Sequence, residues 1–474
     1  MSFTRACLCL TALAPAAFAN GEQWTPTFLL PPGGTASLTR AVRDGLQVGN
    51  SSFGGDFVPG YWTDGDAASW TALGSFPNGA SVEDVWGTAM AGTVFDIDAF
   101  EEESSRATLW DITLGTAQVD LHPPGALSSR ASSIVGAQVG GVVDFGTGNR
   151  AVLWTATATN FVELHPAGAN DSYVEGVTEG QQVGYATFPF SHAGYWSGTP
   201  GSWVDLHPVS LGLPSLLASQ GFGTDGQQQV GWFVLNEGNL IDHPALWSGS
   251  EDSVVDLLPA GWRDGKAFDV IDGRQVGYAR PSLGEDYRAL VWNGSADDFV
   301  DLAATLPPNT YDNVFAYDIW RDDDFWYVIG AAVLPGAGLD PILWTAPIEG
   351  AKETVRAGTP PNPTAFFPGV TSGPVVGSTW DPVVDHAGFV SNAVLDLMLV
   401  STTVANTPLP PAGTLLCAPP YLLVPTTAPG TPFAVAIPDN PALVGLPLCT
   451  QAISVDPLGA ASGANALDLI LGAH

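Results

Sequence analysis

One phrase recurs along most of this chain and constrains its fold more than any other feature. In each complete copy an apolar residue precedes a Trp, then come a turn, a Val-Asp-Leu or related strand, an Ala-led apolar run and a Gln-Val-Gly or related phrase. The recurring residues are Trp62, Trp110, Trp154, Trp196, Trp247, Trp292 and Trp344, spaced by 48, 44, 42, 51, 45 and 52 residues. A period of this length is typical of propellers and related arrays.

Turn-forming residues divide each repeat into short strands. Ser197-Gly198 follows one repeat Trp, and Asp225-Gly226 and Asp272-Gly273 precede two of the closing phrases. Such pairs supply the positive φ angles that tight antiparallel hairpins need. Two hairpins per repeat predict four antiparallel strands, which is the content of one propeller blade.

The two ends of the array complement each other. Trp24 lies six residues before Leu30, whereas a repeat Trp precedes the Leu of its Val-Asp-Leu phrase by ten or eleven, and Trp344 is followed by neither phrase. The pattern predicts six complete repeats and a blade shared between the chain ends, over residues 20–350. Pairing of the last strand into the first sheet would close the array and remove its exposed edges.

The composition agrees with an all-β chain. Its 55 Gly and 39 Pro, with 45% apolar and only 13% charged residues, favour many turns between packed strands over disorder. The 14 Lys and Arg against 48 Asp and Glu give a formal charge of −34, which argues against nucleic acid and anionic membranes as partners. We therefore expect a monomeric, all-β, seven-bladed β-propeller followed by a small antiparallel β-sandwich.

The N-terminus predicts export. Arg5 precedes a short apolar run that ends in Ala17-Phe18-Ala19, a small-x-small signal-peptidase pattern. Residues 1–19 are thus predicted to be a signal peptide, cleaved between Ala19 and Asn20, and the protein is expected outside the cell or on its surface. The run is too short to span a membrane and is interrupted by Pro15, and no later transmembrane segment is expected.

A second domain follows the repeats. Residues 351–364 end in a Pro-rich stretch and are predicted to form a linker. Residues 365–474 contain short apolar runs between Pro and Gly, which indicate the β-sandwich. Cys417 and Cys449 are the pair that remains after signal cleavage, and in an oxidising compartment a disulfide between them is expected.

The repeat resembles a known family. The run His192–Trp196 and the phrase Gln229–Gly231 resemble the HAF-type extracellular repeats of bacterial secreted proteins. The resemblance covers about residues 20–344 and implies a secreted β-propeller with no defined activity. Most other copies lack the His-Ala-Phe opening, and the repeat from Trp62 to Gly92 is eroded. The C-terminal domain is similar to sandwich modules of secreted repeat proteins.

Three carboxylates are the candidates for acid and base catalysis. Asp84, Asp269 and Asp318 share one repeat position, just before an apolar residue. Glycoside hydrolysis needs two converging carboxyl groups, and these are the ones the sequence offers. Repeat equivalence explains them equally well.

Other residues could bind ligands. The seven repeat Trp residues are expected to pack between sheets, so the sugar-stacking candidates are Trp232, Trp262, Trp320 and Trp326.

Acidic loops at Asp96 and Asp98, and at Asp322 and Asp324, could hold Ca²⁺, although neither has the spacing of a calcium loop and solvated loops are the simpler interpretation. No other cofactor is expected. His122, His165 and His207 recur at one loop position that is expected to be too dispersed for a shared metal.

These features predict a secreted or cell-surface, non-enzymatic binding or scaffold protein, with an extracellular glycan or protein as its partner. The alternative is an extracellular propeller hydrolase or lyase that acts on polysaccharide. An enzyme should gather carboxylates and aromatic residues at one mouth of the central channel, whereas a scaffold should line its channel with small and apolar residues.

Overall fold

A computed structural model describes residues 24–55, 57–97, 103–114, 118–155, 160–236, 238–336, 338–348, 350–369, 373–426, 428–438, 440 and 443–472. The chain divides into a repeat unit, Gln23–Ala346, and a second unit from Pro347 to His474. The predicted signal peptide and its cleavage site, Ala19 and Asn20, lie outside the described residues. No described helix is long and apolar enough to cross a membrane.

The repeat unit contains seven four-stranded antiparallel sheets. Its first strand is β1 (Thr25–Phe28). The first three sheets are β2 (Ala36–Arg43), β3 (Leu46–Ser52), β4 (Phe57–Thr63) and β5 (Thr71–Ala72); β6 (Ala80–Trp86), β7 (Ala89–Ile97), β8 (Glu103–Asp111) and β9 (Gln118–Asp120); and β10 (Ser128–Val135), β11 (Gln138–Asp144), β12 (Asn149–Thr155) and β13 (Phe161–Glu163).

The remaining sheets follow the same pattern. The fourth to seventh sheets are β14 (Ser172–Thr178), β15 (Gln181–Thr187), β16 (Ser191–Trp196) and β17 (Val204–Asp205); β18 (Leu216–Thr224), β19 (Gln229–Asn236), β20 (Leu240–Trp247) and β21 (Val255–Asp256); β22 (Asp264–Ile271), β23 (Arg274–Arg280), β24 (Arg288–Ser295) and β25 (Asp298–Asp301); and β26 (Val314–Arg321), β27 (Phe325–Val333) and β28 (Leu339–Pro347), completed by β1. Short 3-10 helices occupy Ala67–Ser69, Ile112–Leu114, Pro200–Ser202, Val209–Leu211, Glu251–Ser253 and Leu302–Thr305.

The sheets close into a ring, which confirms the all-β propeller fold. Hydrogen bonds join neighbouring sheets, and in several cases they run between first strands, as from Ile134 N–H to Asp84 (2.8 Å). The seventh sheet joins the first in the same way, because Val42 N–H of β2 donates to Asp318 of β26 (2.6 Å). Every sheet therefore has two neighbours.

The chain ends meet as expected, but the N-terminal strand completes the last sheet rather than the reverse. β1 pairs with β28, and Pro26 lies opposite Trp344. Each sheet begins with the Ala-led strand. A sequence repeat counted from its Trp to its closing Gly therefore contributes strands to two neighbouring sheets. Leu29, fully buried and bonded to the Pro341 carbonyl, takes the place of the Val-Asp-Leu leucine that the sequence assigned to Leu30.

A β-bulge explains the glycine that closes each repeat. Every first strand has a bulge at one position, as between Gly221 and Gly223 in β18. Beside it, a Cβ on Gly231 would lie only 1.9 Å from the Gln220 carbonyl oxygen. The equivalent glycines are Gly49, Gly92, Gly141, Gly184, Gly277 and Gly330. In the third sheet this residue is Gly141, one position later than the Val139-Gly140 phrase indicates.

The repeat Trp residues fill the spaces between sheets. All seven are 0% exposed. Trp247, for example, packs with Ala193 and Leu206 of the preceding sheet and with Phe233 of its own. A large ring at this point buries the wide outer part of the space between two sheets.

The second unit is built around a five-stranded sheet. Its order is β29 (Lys352–Arg356), β39 (Ala461–Ile470), β38 (Pro447–Val455), β33 (Leu395–Ser401) and β36 (Leu422–Pro425). Three two-stranded sheets accompany it: β30 (Phe366–Phe367) with β32 (Val383–Val384), β31 (Thr379–Trp380) with β37 (Val435–Ala436), and β34 (Val404–Leu409) with β35 (Gly413–Cys417).

Two features of this unit bear on the sequence predictions. Residues 351–364 are not a free linker, since Lys352–Arg356 pairs with β39 and the buried Asn362 donates to the Thr414 and Ala464 carbonyls. Cys417 and Cys449 form the predicted disulfide.

Candidate functional site

The ring has two chemically different faces, which follow from the strand order. Antiparallel strands place the second-to-third-strand hairpins and the links from each fourth strand to the next sheet on one side, called here the loop face. The other hairpins form the turn face. Of the exposed large apolar side chains described in the repeat unit, twelve belong to the loop face: Phe28, Phe53, Phe57, Phe95, Leu127, Phe145, Phe190, Val209, Leu211, Leu213, Leu240 and Leu283. Phe325 lies on the turn face, and Val162 on the outermost strand of its sheet.

The bulges bring seven side chains together around the central channel. This bulge ring consists of Arg40, Glu83, Ser132, Glu175, Phe222, Phe268 and Tyr317, in sheet order. All seven are partly exposed, unlike the buried residues on either side of most of them. The bulge turns each side chain away from the space between sheets, because it interrupts the alternation of the strand.

One half of the bulge ring is ionic. Arg40 pairs with Glu83 (3.4 Å), and Arg130, two residues before the Ser132 bulge, pairs with Glu175 (2.9 Å). Burial raises the pKa of Glu175, and Arg130 opposes that rise. The buried hydroxyl of Ser132 has no hydrogen-bond partner among the residues that the structure describes.

The other half is aromatic. Phe268 contacts Phe222, Tyr278 and Tyr317, with ring centroids 5.3, 5.5 and 5.9 Å apart. Tyr278 also contacts Tyr287 and Phe315, each at 4.9 Å. We call Phe222, Phe268, Tyr278, Tyr287, Phe315 and Tyr317 the aromatic wall. Each of the six is partly exposed.

The three candidate catalytic carboxylates lie one residue beyond the bulges and tie neighbouring sheets together. Asp84 accepts hydrogen bonds from Ser133 Oγ (2.7 Å) and Ile134 N–H (2.8 Å). Asp318 accepts one from Val42 N–H (2.6 Å), and Asp269 accepts one from Ile319 N–H (3.3 Å).

Two of these carboxyls share a hydrogen bond. Burial and the neighbouring Asp318 raise the pKa of Asp269 well above its ordinary value, and the two side chains are hydrogen-bonded to each other. A retaining or inverting glycosidase keeps its two carboxyl groups about 5 to 9 Å apart, to leave room for the sugar or a water. Hydrogen-bonded carboxyls leave no such room.

Asp84 should make stability depend on pH. Burial, with a smaller contribution from Asp318, raises its pKa to about 6, so the folded protein holds this proton more tightly than the unfolded chain. The stabilisation that this bound proton contributes to the folded state is complete below the unfolded-state pKa of about 4, and it is lost as the pH rises through about 6. We expect Asp84→Asn to reduce the fall in unfolding free energy between pH 4 and 7. Urea titrations should show no such reduction for the exposed control Asp323→Asn.

The four candidate Trp residues are not brought together. Trp232 lies midway along β19 beneath Lys266 (4.3 Å), and Trp262 packs against Phe299 in a loop-face connection. Trp320 and Trp326 belong to the last turn-face hairpin, where Arg274 stacks on Trp326 (4.2 Å). Lys266, which contacts Trp232, pairs with Tyr278 of the aromatic wall in the register of β22 and β23.

The predicted metal candidates have structural partners. Asp322 accepts the N–H groups of Asp324 and Phe325 and the Tyr327 hydroxyl. Burial opposes ionisation of Asp322, but these hydrogen bonds outweigh it and lower the pKa. Asp96 lies at the end of β7, and Asp98 is outside the described residues. Among the described residues no three His, Cys, Asp or Glu side chains are grouped to hold a metal ion.

The repeated His residues fix loops. His122 and His165 each bond the Ser at the start of the next first strand, Ser129 and Ser172 (both 2.8 Å). His207 bonds Ser219 in the same way, and burial and His192 lower its pKa to about 4.

Comparisons with known proteins assign no family to this chain. No protein-family model and no curated protein matches this chain. Among solved structures, it is similar to the β-propeller domain of the Trilobed protease from Pyrococcus furiosus, at 10% identity and a TM-score of 0.42, over 65% of this chain and 95% of that one. A puromycin-hydrolysing peptidase of Mycobacterium tuberculosis also matches, at 13% identity and a TM-score of 0.42, over 76% of this chain and 61% of that one.

A third similar structure is a protein of unknown function from Dyadobacter fermentans, at 11% identity and a TM-score of 0.35, over 68% and 97% of the two chains. Identities this low bring no activity or substrate to this chain.

Proposed function

We propose that this chain is a secreted or cell-surface binding protein that is not an enzyme and engages an extracellular partner through its loop face. The observation that carries the proposal is the segregation of exposed apolar side chains, twelve of which belong to that face against one on the turn face. Large exposed apolar surfaces mark sites of interaction, because water solvates them poorly.

Further observations support the parts of this proposal. The signal-like N-terminus and the Cys417–Cys449 disulfide support an oxidising, extracellular location. The resemblance to HAF-type repeats supports the same location. Asp84, Asp269 and Asp318 already accept hydrogen bonds from backbone N–H groups of neighbouring sheets. This structural use favours a binding role over polysaccharide hydrolysis or lysis.

The proposal is tested by replacing exposed apolar side chains of the loop face, called here the apolar tips. We expect the combined substitutions Phe53→Ser, Phe190→Ser and Leu283→Ser to reduce adsorption of the full chain at least tenfold. The targets are intact cells of the producing organism and insoluble cell-wall polysaccharides, and adsorption is measured by depletion. The control combines Phe325→Ser with Val162→Ser, both away from the loop face.

Release of reducing or unsaturated sugars is measured in the same tubes. Adsorption that depends on the tips, without release, is the expected result. Release that Asp269→Asn abolishes would replace the proposal with the hydrolase or lyase alternative. Equal adsorption by the tip and control variants would contradict the use of the loop face.

A further inference from the structure

We infer that the aromatic wall is a binding site for an uncharged carbohydrate chain. This inference rests on the proposed binding function and names its ligand. The wall consists of Phe222, Phe268, Tyr278, Tyr287, Phe315 and Tyr317, whose rings form one connected series of contacts. It draws on the fifth, sixth and seventh sheets and is continuous with the bulge ring.

Exposure separates this wall from the hydrophobic core. The repeat Trp residues, whose role is packing, are 0% exposed, whereas all six wall residues keep accessible surface. Ring faces left accessible in a cluster can stack on the apolar face of a pyranose ring, while the surrounding polar groups bond its hydroxyls.

The charges around the wall select a neutral ligand. Four ion pairs involve residues at or beside the channel: Arg40–Glu83, Arg130–Glu175, Lys266–Asp242 and Arg280–Asp264. Each of these four cations is already neutralised by a carboxylate. A uronic or sialylated chain would therefore gain no free cation here and would meet a protein of formal charge −34.

The same pairs supply what sugar hydroxyls need. A guanidinium offers donors and a carboxylate offers acceptors at fixed separation, so one hydroxyl can bond to both. Arg280 lies over the Tyr287 ring (4.7 Å) and donates to Asp264 (2.7 Å), which places a donor and an acceptor beside an aromatic face. The buried indole N–H of Trp232, which lies beneath Lys266, has no hydrogen-bond partner among the described residues.

The test begins with an array of neutral, uronic and sialylated oligosaccharides, probed with the full chain. We expect neutral chains to be retained and acidic ones not. The best neutral oligosaccharide is then titrated calorimetrically against Phe268→Ala and Tyr317→Ala, with an expected loss of affinity of at least tenfold for each. The control Phe325→Ala, on the turn face, should stay within twofold of the unmodified protein.

A second variant separates ligand contact from folding. Tyr287→Ala changes a hairpin residue outside the first strands, so its unfolding temperature should remain near that of the unmodified protein while its affinity falls. Retention of acidic chains in preference to neutral ones would overturn the inference, as would unchanged affinity in folded wall variants. A folded protein that retains no neutral chain overturns it too. If adsorption in that case still depends on the tips of the loop face, the proposed binding function stands and only this ligand assignment fails.

Discussion

Replacing Gly231 by Ala is expected to prevent the repeat unit from folding correctly. The new Cβ would lie 1.9 Å from the Gln220 carbonyl oxygen and 2.9 Å from the Gly221 Cα, both backbone atoms of the bulged neighbouring strand. Neither atom can move without breaking the pairing of β18 with β19. We expect a loss of more than about 3 kcal/mol, above the usual range for overpacking, because backbone rather than a side chain must shift.

Soluble yield, circular dichroism and the midpoint of thermal unfolding measure this effect. The matched control is Gly201→Ala, since a Cβ there meets nothing within 4 Å. The control should behave as the unmodified protein does. If Gly231→Ala also folds with an unchanged midpoint, the bulge account of the closing glycine is wrong.

Replacing Trp247 by Ala is the second large effect. Its side chain is 0% exposed and packs with Leu206 of the preceding sheet and Phe233 of its own. Removing it leaves a cavity between two sheets, and the free energy of unfolding should fall by about 3 to 5 kcal/mol.

Urea unfolding followed by circular dichroism measures this loss. Trp262→Ala is the control, because Trp262 is partly exposed in a loop-face connection and its removal creates a smaller cavity. A loss for Trp247→Ala no greater than that for Trp262→Ala would contradict a packing role for the repeat Trp.

Much of the propeller could be predicted because its signals are local. Hairpins depend on short turns, and Asp272 and Gly273 have the positive φ angles, 48° and 79°, that their sequence predicts. A recurring Trp that must fill the space between two sheets leaves a periodic trace along the chain. The strand with which each sheet begins is harder to predict, because the sequence shows where strands recur but not how they are divided among sheets. For this reason the sequence indicates Leu30 as the leucine of the N-terminal strand, whereas Leu29 takes that place in the structure.

The candidate site was missed because bulges break the alternation on which strand interpretation depends. Asp84, Asp269 and Asp318 stood out as carboxylates at one repeat position, yet the side chains that face the channel come one residue earlier. Phe268 and Tyr317 differ from Glu83 in chemistry, so no shared residue type marks that position. A signal was present nonetheless in six of the seven sheets, because the bulge residue lies nine residues before the closing glycine, as Phe222 does before Gly231; in the seventh sheet Tyr317 lies thirteen residues before Gly330.

In the second unit, composition was a poor guide to where folded structure begins. The sequence predicts a linker over residues 351–364, whereas in the structure Arg356 binds Asp468 and the carbonyls of Ala405 and Leu416. Such long-range partners leave no local pattern. The disulfide was predictable because export would leave one pair of cysteines.

Hydrogen exchange of the full chain, with and without the polysaccharide that it adsorbs most strongly, tests whether the loop face binds that partner. We expect slower exchange on the loop face, in the second-to-third-strand hairpins and the connections between sheets, with the polysaccharide recovered intact. Slower exchange confined to the turn-face hairpins, or a polysaccharide shortened during the incubation, would contradict it.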